Sequence, residues 1–190
     1  MNKTVANRIE THKKLVAKFE TGCVETIIAM VQTLVDCLKK NGCIYICGNG
    51  GSAADAQHIA SELVGRFERE RKAIPAVALT TDTSALTSIA NDYGFEQVFA
   101  RQVQAFVKPN DVLWAISTSG TSSNVLAAAK LAKQKKATII AFTGKANTTL
   151  EKIADFCLSI DAPNTASAQE IHQLAYHIIC DLVEGRMCKK

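Results

Sequence analysis

Two segments of this 190-residue chain carry residue types suited to holding an anion. Gly48-Asn49-Gly50-Gly51-Ser52-Ala53-Ala54-Asp55 follows the apolar run 43–47, and its three glycines allow a tight turn into a helix. Ser52 and Asp55 form an S-x-x-D pattern that predicts the helix start. The free N–H groups and dipole of such a start favour negative charge. Ser117-Thr118-Ser119-Gly120-Thr121-Ser122-Ser123 follows a second apolar run, and its hydroxyls make a neutral cradle for phosphate oxygens. A P-loop is excluded, because no Lys followed by Ser or Thr comes after the glycines. Gly48-x-Gly50-x-x-Ala53 fits a loose dinucleotide fingerprint. The acidic residue expected about 20 positions on is missing, however, since the next strand has not begun there and Asp82 is too distant.

Titratable groups accompany these loops. His58 and Glu62, four apart, share one face of the helix after the glycines. A long final helix carries Gln169-Glu170-Ile171-His172 and then His177, which lies about 80° round the axis from Gln169. Taken singly, the His58–Glu62 pair reads equally as a solvated ion pair, and each histidine as an ordinary surface or core residue. Asn91-Asp92-Tyr93-Gly94 reads as a turn.

The elements that must position these groups follow from apolar spacing. Val24, Ile27, Ile28, Val31, Leu34, Val35 and Leu38 make the stripe of an amphipathic helix that Asn41-Gly42 stops. A more polar helix over 5–19 precedes it. Short apolar runs at 43–47, 75–80, 112–117, 138–143 and 156–160 alternate with helical stretches at 52–66, 84–107, 124–135, 148–154 and 166–187. That alternation predicts an α/β fold: a three-layer arrangement with a five-stranded parallel sheet covered on both faces. Residues 1–42 supply extra N-terminal helices, 43–190 the sheet and its cover, and the length suits one domain.

Composition limits the function classes. A net charge of +4, evenly spread, gives no nucleic-acid footprint. No apolar run reaches the roughly 18 residues of a membrane span, and the charged first 20 residues lack a signal-peptide core. Seven cysteines, an odd number without a C-x-x-C pair, read as reduced structural thiols rather than redox groups, which fits a cytoplasmic location.

Taken together, the segment from Cys47 to His58, Ser117-Thr118-Ser119-Gly120 and Gln169-Glu170-Ile171-His172 resemble the sugar isomerase (SIS) domain family, and within it the phosphoheptose isomerases. The resemblance spans essentially the whole chain in one order. It implies a flavodoxin-like sheet, a homotetramer, and isomerisation of sedoheptulose 7-phosphate to D-glycero-D-manno-heptose 7-phosphate through an enediol. That step opens the ADP-heptose supply for lipopolysaccharide core. It further implies one Zn²⁺ per subunit on His58, Glu62, Gln169 and His177, with Glu62 and His177 also acting as base and acid. Glu62 then needs its coordination to loosen when substrate binds. Substrate contacts are implied for Asn49, Gly50, Gly51, Ser52, Asn91, Asp92, Ser117, Thr118, Ser119, Ser122 and Gln169.

One departure stands out: the family often has arginine two residues before the glutamine, where this chain has Ser167. Gln169 and His177 are eight residues apart, about 12 Å along a straight helix. Either the helix is irregular near Gln169, or one ligand comes from a neighbouring chain. The expectation is an active site at a subunit boundary, with helices 5–19 and 166–187 in the contacts. A non-catalytic relative that binds the replication initiator shares the glycine loop. Those relatives lack the carboxylate and imidazole that this chain keeps at Glu62 and His177, which favours the enzyme.

Overall fold

The computed structural model describes residues 1–188; the last two residues of the expected domain lie outside them. Five parallel strands, β1 (Ile44–Cys47), β2 (Ala76–Ala78), β3 (Val112–Ser117), β4 (Thr138–Thr143) and β5 (Phe156–Ser159), are ordered β2-β1-β3-β4-β5. β3 and β4 pair along their whole length, from Val112 with Thr138 to Ser117 with Thr143. Every residue of β3 is buried, as a strand covered on both faces requires. Trp114 and Ile116 point into one core with Ile44, Ile46, Ile140 and Phe142. Leu113 and Ala115 point into the other with Cys47, Ile139 and Ala141.

Helices α1 (Asn2–Gly22), α2 (Val24–Lys39), α3 (Gly51–Val64) and α8 (Thr165–Met187) cover the Trp114 face. α1 and α2 meet at a 68° bend, and both pack against α8. Helices α4 (Thr83–Tyr93), α5 (Ala100–Phe106), α6 (Ser123–Gln134) and α7 (Thr149–Ile153) cover the opposite face. The expected continuous helix over 84–107 is a correction. Gly94, with φ 87°, ends α4, a 3₁₀ turn follows at Phe95–Gln97, and α5 begins afresh. Asn91-Asp92-Tyr93 is accordingly the last turn of α4 rather than a free turn. Asn41, with φ 58°, does stop α2 as expected. No single helix among the described residues is long and apolar enough to cross a membrane.

The chain winds one way from β1 to β2 and the other way from β3 onward. The loops leaving β1 and β3 therefore flank the crevice where ligands bind in sheets of this topology. Both loops singled out by residue type are these loops. At the other end of the sheet, Asp111 accepts the N–H groups of Cys43 (2.9 Å) and Lys108 (2.7 Å), fixing the starts of β1 and β3 relative to each other.

A buried carboxylate locks α3 against α8. Glu184, fully buried, accepts the backbone N–H groups of Phe67 (2.8 Å), Glu68 (2.8 Å) and Arg69 (2.7 Å) in the loop after α3. Arg71 Nε lies 3.3 Å from it, and the same guanidinium donates to the Glu62 carbonyl at 2.8 Å. Burial alone would push the Glu184 carboxyl up, but the three N–H bonds and Arg71 outweigh it and hold it below the usual carboxylate range. Glu184→Ala leaves a buried guanidinium and three N–H groups unpaired. Urea unfolding at fixed protein concentration should show a loss of about 3–5 kcal/mol.

Candidate active site

The glycine loop turns through Gly50, whose φ of 55° places it in the left-handed region, and Gly50 itself is the N-cap of α3. Ser52 does not cap the helix as expected; it is buried, and no side chain caps this end. The carbonyls of Asn49 and Gly50 instead accept from Ser52, Ala53 and Ala54. Asn49 exchanges two 2.9 Å amide hydrogen bonds with Asn124, one residue inside α6, which ties the first loop to the helix after the second.

In the serine loop, Ser117 Oγ lies 2.9 Å from Ser122 Oγ and 3.3 Å from Ser119 Oγ. Ser122 is the N-cap residue of α6, yet its hydroxyl turns to Ser117 and caps nothing. The N–H groups at the start of α6 and a cluster of hydroxyls thus converge, an arrangement suited to phosphate. Gly120, φ 65°, is required here twice over, because a Cβ would also overlap the Thr148 side chain. Thr118 and Ser119 border a cavity of about 290 Å³ that also contains Lys145 and Asn164.

A second cluster sits farther along α3. One ligand atom each from His58, Glu62 and His177 all lie within 4.8 Å of one another. His58 Nε2 is 3.0 Å from Glu62 Oε1 and 3.5 Å from His177 Nε2. Phe67 packs on the His177 ring with centroids 5.6 Å apart. Burial, with His58 adding to it, lowers the His177 pKa against a smaller opposing pull from Glu62, so the ring is neutral at pH 7. On the far side of His58, Tyr176 Oη is 3.0 Å from Nδ1. Asp55 faces the same hydroxyl, and burial pushes its carboxyl up to about 6. Two imidazoles and a carboxylate form a donor set that zinc accepts.

Other expected site residues are placed elsewhere. α8 runs unbroken from Thr165 to Met187, so the helix is not irregular at Gln169. The Gln169 carboxamide lies against Gly51, at the start of α3, whereas His177 meets His58 about two turns along it. Asn91 and Asp92 are exposed, and Asn91 donates to Asp92 at 2.8 Å. His58 also borders an open cavity of about 780 Å³ beside the edge strand β2, with Ser61, Val77 and Thr81.

Known proteins resemble this chain over most of its length. The SIS domain family matches residues 9–144. A phosphoheptose isomerase from Campylobacter jejuni is 53% identical over 153 residues, 80% of this chain and 82% of its own length. One from Roseiflexus sp. is 50% identical over 158 residues, 83% of this chain and 80% of its own length. The solved phosphoheptose isomerase of Neisseria gonorrhoeae superposes with a TM-score of 0.91 at 41% identity, covering 97% of this chain and 98% of that one. The chain belongs to the SIS domain family, among the phosphoheptose isomerases.

Within this SIS domain, Ser167, which stands where the family resemblance leads one to expect arginine, is 3% exposed, and its N–H is capped by Asn164 Oδ1 at 3.0 Å. Asn124, which pairs with Asn49, and Tyr176, which faces His58 and Asp55, are not legible as site residues from sequence, since these partners lie far away in the chain. His172, the last residue of the third motif, has a structural place. Fully buried against Phe142, its Nε2–H donates to the Thr143 carbonyl at 3.3 Å. Burial lowers its pKa to about 4. The unfolded chain takes up this proton below about 6.5 and the folded chain only near 4, so the contribution is complete above 6.5 and is lost as pH falls through that window. Between pH 6.5 and 4, wild-type unfolding free energy should fall more steeply than that of His172→Gln, by up to about 3 kcal/mol across the window in chemical unfolding.

Proposed function

We propose that the chain is an isomerase that converts sedoheptulose 7-phosphate to D-glycero-D-manno-heptose 7-phosphate, the aldose–ketose step that begins ADP-heptose supply for lipopolysaccharide core in the cytoplasm. The observation that carries this reading is the His58–Glu62–His177 cluster in a chain about half identical to phosphoheptose isomerases. It also weighs against a role limited to binding the replication initiator, for which neither a carboxylate nor an imidazole is needed at these positions.

In this reading one zinc per chain is held by His58, Glu62, His177 and Gln169, where it supplies a positive centre beside the reacting oxygens. Gln169 joins from another copy, because the unbroken α8 keeps it about 12 Å along the axis from His177 of its own chain. The phosphate cradle calls for the same arrangement. Glu62 is eleven residues beyond Gly51, about 16 Å along α3, a long reach for one heptose phosphate anchored at the loops of the same chain. A homotetramer with sites between subunits accounts for both distances.

The residues then divide the chemistry. Ser117, Thr118, Ser119 and Ser122 hold the phosphate with the α6 N-terminus, while Asn49, Gly50 and Gly51 line the path of the sugar; for Ser52, which is buried, and for Asn91 and Asp92, exposed at the end of α4, a sugar contact rests on the family resemblance alone. Fixing the far end of the substrate positions C1 and C2. Glu62 takes the proton from C1 and returns it at C2. His177, whose lone pair would be on the metal, gives its remaining N–H proton to O2 and is restored by the O1 proton, so that the ketose becomes the aldose with no net change in protons. A carboxylate has two oxygens, so Glu62 can keep one on the metal side and present the other to carbon. In deuterated water the wild type should give product labelled at C2. Glu62→Gln should bind the sugar phosphate yet lose labelling and turnover by about 10²–10⁴-fold. Labelling by this variant at near wild-type rate would pass the role of base to another group.

A further inference from the structure

We infer that Tyr176 and Asp55 form a positioning pair that turns His58 into a metal ligand. The inference rests on the metal reading above and extends it beyond the ligand atoms. A neutral imidazole has one N–H and one lone pair, and only the lone pair can bind a metal. In this chain the cluster lies on the Nε2 side of His58, so the proton must sit on Nδ1. Tyr176 Oη is 3.0 Å from that Nδ1, and the ring behind it is buried, 1% exposed.

A tyrosine hydroxyl can donate to Nδ1 or accept from it, and its own proton decides between the two. If it donates, Nε2 carries the hydrogen and His58 bonds Glu62 instead of a metal. If it accepts, its O–H needs another acceptor. Asp55, one turn before His58 on α3, faces the same hydroxyl, and its Oδ2 is buried without any hydrogen-bond partner. A buried carboxylate oxygen with nothing to accept is costly unless it takes that proton. The ordered chain is therefore His58 Nδ1–H to Tyr176 Oη, and Tyr176 O–H to the Asp55 carboxylate. It frees the Nε2 lone pair and fixes the ring, the arrangement by which hydrogen-bonded partners raise the basicity of metal-binding histidines. Edge-on packing of the Tyr176 ring on both His58 (5.3 Å) and His177 (4.8 Å) limits rotation of either imidazole.

The test is zinc affinity, measured by competition with a chromophoric chelator on the full chain, beside the melting temperature of the metal-free protein. Tyr176→Phe keeps the packed ring and removes only the hydroxyl. The expected result is zinc binding weakened about 10–100-fold and the absorption bands of the cobalt(II)-loaded protein shifted, while the metal-free protein stays folded with a melting temperature lower by the few degrees that an unpaired Asp55 oxygen costs. Asp55→Ala provides a second variant, expected to weaken zinc in the same direction if Tyr176→Phe does not fold. Zinc affinity within twofold of wild type in the folded variants overturns the inference alone. A wild-type protein that binds zinc no better than His58→Ala overturns the metal reading and this inference with it.

Discussion

Glu184 is a charge that cannot reach solvent, so its surroundings are fixed by what it needs: donors. Three consecutive backbone N–H groups and one guanidinium meet that need. All four come from the segment between α3 and β2, while Glu184 itself belongs to α8. The carboxylate therefore sets how far along α8 the end of α3 can sit. Because Arg71 also grips the Glu62 carbonyl and Phe67 packs on His177, the same alignment sets the meeting of Glu62, His58 and His177. Removing one member of such an arrangement is far more disruptive than its net contribution would suggest, since the partners stay buried.

The other half of the site depends on the sheet. Parallel strands with a reversal of winding between β1 and β3 place two loop–helix junctions side by side, and Asn49 with Asn124 bolts them together. Rigid strands beneath and paired amides above leave the hydroxyls of Ser117, Ser119 and Ser122 preorganised for an anion. The two halves are separated along α3 by the length of the helix itself. Within one chain the hydroxyl cluster is therefore at one end and the imidazole–carboxylate cluster at the other, and the proposed homotetramer rests on that separation.

Much of this was legible in the residues because the signals are local. β3 and β4 are continuous apolar runs, and their boundaries match the sequence reading at both ends. His58 and Glu62 were readable as one helix face, since i and i+4 must meet. What escaped notice depends on contacts distant in the chain or on backbone angles. The break at Gly94 was hidden by apolar spacing that runs on through it. Ser52 looks like a cap, but Gly50 with its positive φ occupies that place and Ser52 is carried inward. Glu184 reads as one more charge on a helix until the loop that needs it is folded. His172 shares its motif with Gln169 yet faces the core.

The proposed zinc site formed by α3 and α8 would serve isomerisation of a heptose phosphate. Its most direct test is turnover of sedoheptulose 7-phosphate by protein stripped with a chelator and then titrated with zinc. Turnover is expected to be negligible in the stripped protein and to rise with zinc to a plateau at one ion per chain. Full turnover in the stripped protein, unchanged by added zinc, would contradict it.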